Sequence, residues 1–206
     1  VSTDNIEPLS KYCSASDWQY SKIYSDPIAW MRNKSVDFIS PQLYWNSTHS
    51  TNPFGPLTQW WNQAAKALDC LFYPSISVAD GWDVSEYVKE IKFTRTYSWD
   101  GNSGVVYYRG ASIVNNNMGQ SIKNQCTPHK SLHPICTHFS GSTPGTISGL
   151  KRSGTALTWN ALSNTRYVVY AIPSTVNQID AASEKGGYKA EYIVDITYTN
   201  SATLPS

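Results

Sequence analysis

The chain has 206 residues and a formal net charge of +1, enough length for one large or two small domains with a real core. Its 16 basic residues are scattered, which argues against a nucleic-acid backbone or an anionic membrane surface as partner. No apolar run approaches the roughly 20 residues that span a bilayer. The aromatic balance is unusual, with 8 Trp and 14 Tyr against 5 Phe. Trp and Tyr combine an apolar face with a polar handle, so they suit surfaces that stack on sugars, and they equally fill a core and its rim. Position has to decide between the two.

The chain begins at Val1 in what reads as a strand end, VSTDN, as expected of a processed or excised segment. Asp26 followed by Pro27 is a cap and first-turn proline, and predicts a helix through Asn33. A strand follows over 36–45, whose second half, SPQLYW, turns from apolar to polar and aromatic. After the loop NSTHSTNPFG, the segment 56–69 places Leu57, Trp60, Trp61, Ala64, Ala65 and Leu68 on one helical face. LFYPSISV, 71–78, predicts a second strand, and ADGWD turns out of it. Asp83 with Glu86 three residues on forms a capping box ahead of Val84, Tyr87, Val88 and Ile91. GVVYYRG, 104–110, predicts a third strand.

Strand, loop, helix and strand at this spacing imply right-handed crossovers, a parallel sheet and the α/β class. In such sheets ligands sit at the carboxyl ends of the strands. Those ends carry Gln42, Tyr44, Trp45, His49, Asp80, Trp82 and Arg109. The composition then changes. QCTPHKSLHPICTHFSGSTPG holds three prolines and reads as a linker over 126–144. Beyond it TALTWNAL, RYVVYAIP and EYIVDITYT predict an all-β module over 145–206 with no helix.

Pro41, Gln42, Leu43, Tyr44 and Trp45 match a strand end of the P-Q-I-Y-W type. VSTDNI, the helix around Trp60 and Trp61, GWDVSEYVKEI and GVVYYRGASIVNN follow it in order. Over residues 1–125 this resembles the C-terminal part of the bacterial glycosyl-hydrolase-like family ten barrel, a (β/α)8 fold. Leu157, Thr158 and Trp159, with Tyr167 to Tyr170, resemble the B and C strands of a fibronectin type III module. The resemblance implies an exported bacterial protein of the periplasm or cell surface that acts on a polysaccharide or cell-wall glycan without a cofactor. It also implies that the chain is an internal piece of a longer protein. The first half of the barrel, where the family carries its acidic strand-end motif, is expected elsewhere, and the β module is expected to be incomplete. The chain alone is therefore expected to be inactive. The competing expectation is a non-catalytic carbohydrate-binding or scaffold protein of the envelope.

Glycoside hydrolysis uses two carboxyl groups. Asp4 and Asp80 are the candidates here, each with an alternative as a loop or turn residue, while Asp83 is first a helix cap. Gln42, Tyr44, Trp45, Trp82 and Arg109 are the expected substrate-binding residues: Gln42 and Tyr44 share one face of a strand, Trp45 and Trp82 offer stacking platforms, and Arg109 can orient a carboxylate. Cys126, His129, His133 and Cys136 carry metal-binding side chains in close sequence. A Cys126–Cys136 disulfide or reduced packing residues account for the same stretch, and Pro128 and Pro134 work against a single-helix site.

Overall fold

The computed structural model describes residues 6–12, 18–79, 81–99, 104–133, 141–183 and 187–205. The chain divides into two compact units, Val1–Thr127 and Pro128–Ser206. The architecture mixes helix and strand, as the alternating pattern predicts.

In the first unit, α1 (Trp18–Ile23) and α2 (Pro27–Arg32) precede β1 (Phe38–Ile39). Asp26 caps α2 as expected, its carboxylate accepting from the Ala29 N–H at 2.9 Å. Next come α3 (Phe54–Ala67), β2 (Leu71–Phe72), β3 (Ser75–Ser77), α4 (Val84–Tyr97) and β4 (Val106–Tyr108). β1 pairs parallel with β2 and β3 with β4. A parallel bridge between Gln42 and Ser75 continues the first pairing along the chain. The three strand segments thus run the same way, with 71–77 in the middle. They are shorter than the sequence predicts because Pro41 and Pro74 lack an N–H and break the regular ladder. Pairing still crosses both prolines: Ser75 N–H donates to the Pro41 carbonyl at 2.9 Å and Val106 N–H to the Pro74 carbonyl at 3.0 Å.

α3 buries the face read from its spacing, with Leu57, Trp60, Trp61, Ala64 and Ala65 all inside, and Leu68 buried at its end. Each large apolar side chain taken fully from water contributes about 1.5–3 kcal/mol, so this face is the main anchor of the helix. Ile76 of β3 and Val78 just after it are completely buried in the same core, as is Tyr87 of α4. Two shorter helices, α5 (Gly110–Asn115) and α6 (Gly119–Cys126), follow β4. α6 carries Ile122 and Cys126 into the same core, and Arg95 of α4 donates to the Cys126 carbonyl.

The second unit contains an antiparallel three-stranded sheet in the order β5 (Lys151–Ser153), β6 (Ala156–Thr158) and β9 (Ser201–Thr203), and an antiparallel pair of β7 (Tyr167–Tyr170) and β8 (Ile193–Thr197). Trp159, Tyr167 and Val169 are its buried centre. The expectation of no helix here is corrected. α7 (Gln178–Ala181) forms between β7 and β8, started by the Asn177 side chain, which accepts from the Asp180 N–H at 2.8 Å. Asn is among the best capping residues, but a single turn leaves too little periodicity to read.

Candidate functional site

A cavity of about 500 Å³ opens beside the carboxyl end of β1. Its walls come from Pro41, Gln42, Leu43 and Trp45 after the strand, from Leu57, Trp60 and Trp61 of α3, and from Asp26, Pro27 and Ile28 at the start of α2. Gln19 and Tyr20 of α1 and Asn52 of the following loop complete it. The wall is thus largely aromatic and aliphatic, with a few amides and one carboxylate. That composition suits an amphipathic small molecule, whose apolar faces stack while its hydroxyls find acceptors.

The sheet explains how Gln42 and Trp45 reach this place. Leu43 N–H donates to the Ser75 carbonyl at 2.9 Å, which holds the chain against the central strand while the residues around it turn outward. Gln42 and Trp45 line the cavity, whereas Tyr44 lies against a different neighbour: its ring stacks on Tyr108 at 5.4 Å and its hydroxyl is 3.3 Å from Ser75 Oγ. Gln42 pairs with Ser75 through the parallel bridge, and the Tyr44 hydroxyl reaches the side chain of that same residue.

Trp82 stacks on Tyr87 at 5.9 Å and packs against the core, and Arg109 is exposed directly after β4. Asp4 and Asp80 lie outside the described residues, as does Cys136. Cys126 is a free thiol, buried in the core of the first unit, and burial raises its pKa. His129 and His133 are both exposed within the second unit. Among the described residues no three His, Cys, Asp or Glu side chains come together as a metal site would require.

Two features were not legible beforehand. The capping box is only half formed: Asp83 Oδ1 accepts from the Ser85 N–H at 2.8 Å, and hydrogen bonding from the Ser85 side chain and then from its N–H lowers the Asp83 pKa. Glu86 instead reaches across to the loop after β1, where its carboxylate accepts from the N–H and the hydroxyl of Ser47. Lys89 joins them, donating to Ser47 Oγ at 2.9 Å. Further along that loop, His49 Nδ1 accepts from the Asn52 N–H at 3.1 Å, leaving the ring proton on Nε2, and the imidazole lies 6.2 Å from the Trp45 ring. The second feature is Asp26, read as a cap and also found on the cavity wall. Its motif reported the local role, and only the tertiary fold could report the other.

Comparison with known proteins finds distant relatives of part of the chain. The chain is 26% identical over 102 residues to "Glycosyl hydrolase YngK" of Bacillus subtilis, a match covering 43% of this chain and 19% of that protein. It is also 26% identical over 82 residues to "Glycosyl hydrolase DigH" of Escherichia coli, covering 35% of this chain and 19% of the relative. The matched part thus spans about a fifth of the length of these relatives. No family model matches the chain. These distant relatives, both named glycosyl hydrolases, support a glycosyl-hydrolase-like character for the matched part. No described helix is long and apolar enough to cross a membrane.

Proposed function

We propose that this chain is the sugar-holding part of an exported glycoside hydrolase that cleaves O-glycosidic bonds in a polysaccharide or cell-wall glycan. In this reading residues 1–125 belong to a (β/α)8 barrel, and the β module beyond the linker is a type III-like spacer. The observation that carries it is the cavity at the end of β1, where Gln42 and Trp45 meet Trp60, Trp61 and Asp26. An aromatic wall with amide and carboxylate acceptors is chemistry that suits a pyranose, and the relatives named glycosyl hydrolase support the same class. In this reading Tyr44, Trp82 and Arg109 extend the binding face beyond the cavity. Hydrolysis needs a second carboxyl group about 5–10 Å from the first. Asp4 and Asp80 remain the candidates from strand ends, acting with acids contributed from outside this chain.

A second reading, a non-catalytic carbohydrate binder of the envelope, is favoured by one fact: among the described residues, Asp26 is the one acid on the cavity wall. Both readings require sugar binding. Titration of the chain with neutral oligosaccharides, followed by tryptophan fluorescence and calorimetry, should give saturable binding that Trp45→Ala weakens at least about tenfold. A panel of cello-, chito- and manno-oligosaccharides with no binder would overturn both. Turnover of any of them by this chain alone would overturn the division of labour.

A further inference from the structure

The charge on the cavity wall selects the kind of sugar. Asp26 is the sole formally charged side chain among the described residues that line it. One carboxylate oxygen is committed to the Ala29 N–H at 2.9 Å, and no further bond to that carboxylate is made among the described residues, so its other oxygen is available to a ligand hydroxyl. The remaining polar groups of the wall, Gln19, Ser25, Gln42 and Asn52 among them, are neutral. Asn52 also holds a buried side-chain Oδ1 with no hydrogen-bond partner among the described residues, an acceptor that a donor on the ligand would satisfy. Among the described residues no lysine, arginine or histidine contributes to the wall. The residues of this unit outside the described set add no cation either, since they include Asp4, Asp17, Asp80 and Asp100 but no lysine or arginine.

We infer that this cavity seats a neutral sugar unit and discriminates against a carboxylated one, with Asp26 as the specificity-determining residue. The inference rests on the carbohydrate-binding reading above. A neutral pyranose presents hydroxyl donors to Asp26 and Asn52 and an apolar face to Trp45, Trp60 or Trp61. A carboxylate on the same ring would be placed within a few ångströms of Asp26 with no cation on the wall to compensate. At that separation, even near a hydrated surface, like-charge repulsion weakens binding about tenfold or more. Arg109, which as a cation could receive an acidic substituent, does not line this cavity.

The test compares cellotetraose, chitotetraose and mannotetraose with their C6-carboxylated counterparts, using the intact 206-residue chain. At low salt the neutral member of a binding pair should be favoured about tenfold, and added sodium chloride should narrow that gap by screening. Asp26→Asn should close most of it while leaving α2 formed, because Asn caps a helix as well as Asp does. Circular dichroism checks that the fold is retained. Gln42→Glu provides the converse, widening the gap by adding a second negative charge to the wall. Equal binding of neutral and carboxylated sugars, or a gap unchanged by both substitutions, overturns the inference and leaves the carbohydrate reading intact. Failure of every sugar to bind overturns both.

Discussion

In the first unit Trp60 and Trp61 meet edge to face at 4.9 Å and share a core with Phe54, Leu57, Ile76, Val78, Tyr87 and Ile91. In the second, Trp159 meets Tyr167 at 5.1 Å in the same edge-to-face manner, and Val169 is the other buried residue of that cluster. The same aromatic pairing therefore works against different backgrounds. A large core shares the loss of one side chain among many contacts, whereas a small β unit depends on each member. The tyrosine partly compensates through a local bond: the Leu162 N–H donates to the Tyr167 hydroxyl at 2.6 Å, pinning the turn ahead of β7.

The sharpest way to break this contrast is a matched pair of truncations. Trp159→Ala and Phe54→Ala each remove a large buried aromatic group and each should cost on the order of 3–5 kcal/mol. For the second unit that approaches the whole stability of a small domain, so Trp159→Ala should abolish its near-ultraviolet dichroism and its amide protection over 167–170. Phe54→Ala should leave the first unit folded, with a urea midpoint shifted downward and an unchanged slope. The reverse ranking would show that burial is not what separates the two units.

A smaller effect compares their ionic contacts. Glu86 has a side chain only 18% exposed and accepts two hydrogen bonds from Ser47, in the loop between β1 and α3. Hydrogen bonds to a charged group contribute about 1.5–3 kcal/mol, so Glu86→Ala should destabilise the first unit by that order. It should also weaken sugar binding, because the same loop carries Asn52 and lies beside Trp45. The corresponding contact of the second unit joins Lys130 and Asp195 at 3.0 Å, with 51% and 34% of their side chains exposed. An ion pair of that kind contributes about 0–1 kcal/mol, and Lys130→Ala should be close to silent in urea denaturation. Calorimetry in which Glu86→Ala binds sugars as the parent does would separate the loop from the cavity.

How much of this was written in the residues depends on the range of the interaction. The buried face of α3 and the caps at Asp26 and Asp83 are set by neighbours within one or two helical turns, and reading them needed no fold. The strand lengths were overestimated because hydrophobic pattern says where a strand can run, while Pro41 and Pro74 decide where its regular ladder breaks. Glu86 shows the limit more clearly. Its spacing from Asp83 satisfies a capping box, yet Ser47, 39 positions away in sequence, takes the carboxylate. The cavity has the same character: Gln42 and Trp45 were chosen from a strand-end motif, but Trp60, Trp61 and Asp26 each looked fully explained by a helix. Residues with a sufficient local role give no sign of a second, tertiary one.

The smallest expected effect distinguishes the two units by acid. Asp83 has its pKa lowered through hydrogen bonds from Ser85, and Asp195 has its pKa lowered through Lys130 and then the Ile196 N–H. Both folded values lie below the unfolded one, near 3.9. Their stabilisation is therefore present above that pH and lost as the pH falls through the folded values. The causes predict different responses to salt. Asp195 owes most of its shift to an exposed cation, so concentrated salt should flatten its acid dependence. Asp83 owes its shift to short hydrogen bonds at the start of α4, so its dependence should survive salt and disappear in Asp83→Asn, which keeps the cap but cannot ionise. Acid titration of helical dichroism, with and without salt, measures the first unit. Amide protection in β8 measures the second, and equal salt sensitivity in both would show that long-range charge, rather than local bonding, governs the acid behaviour of α4.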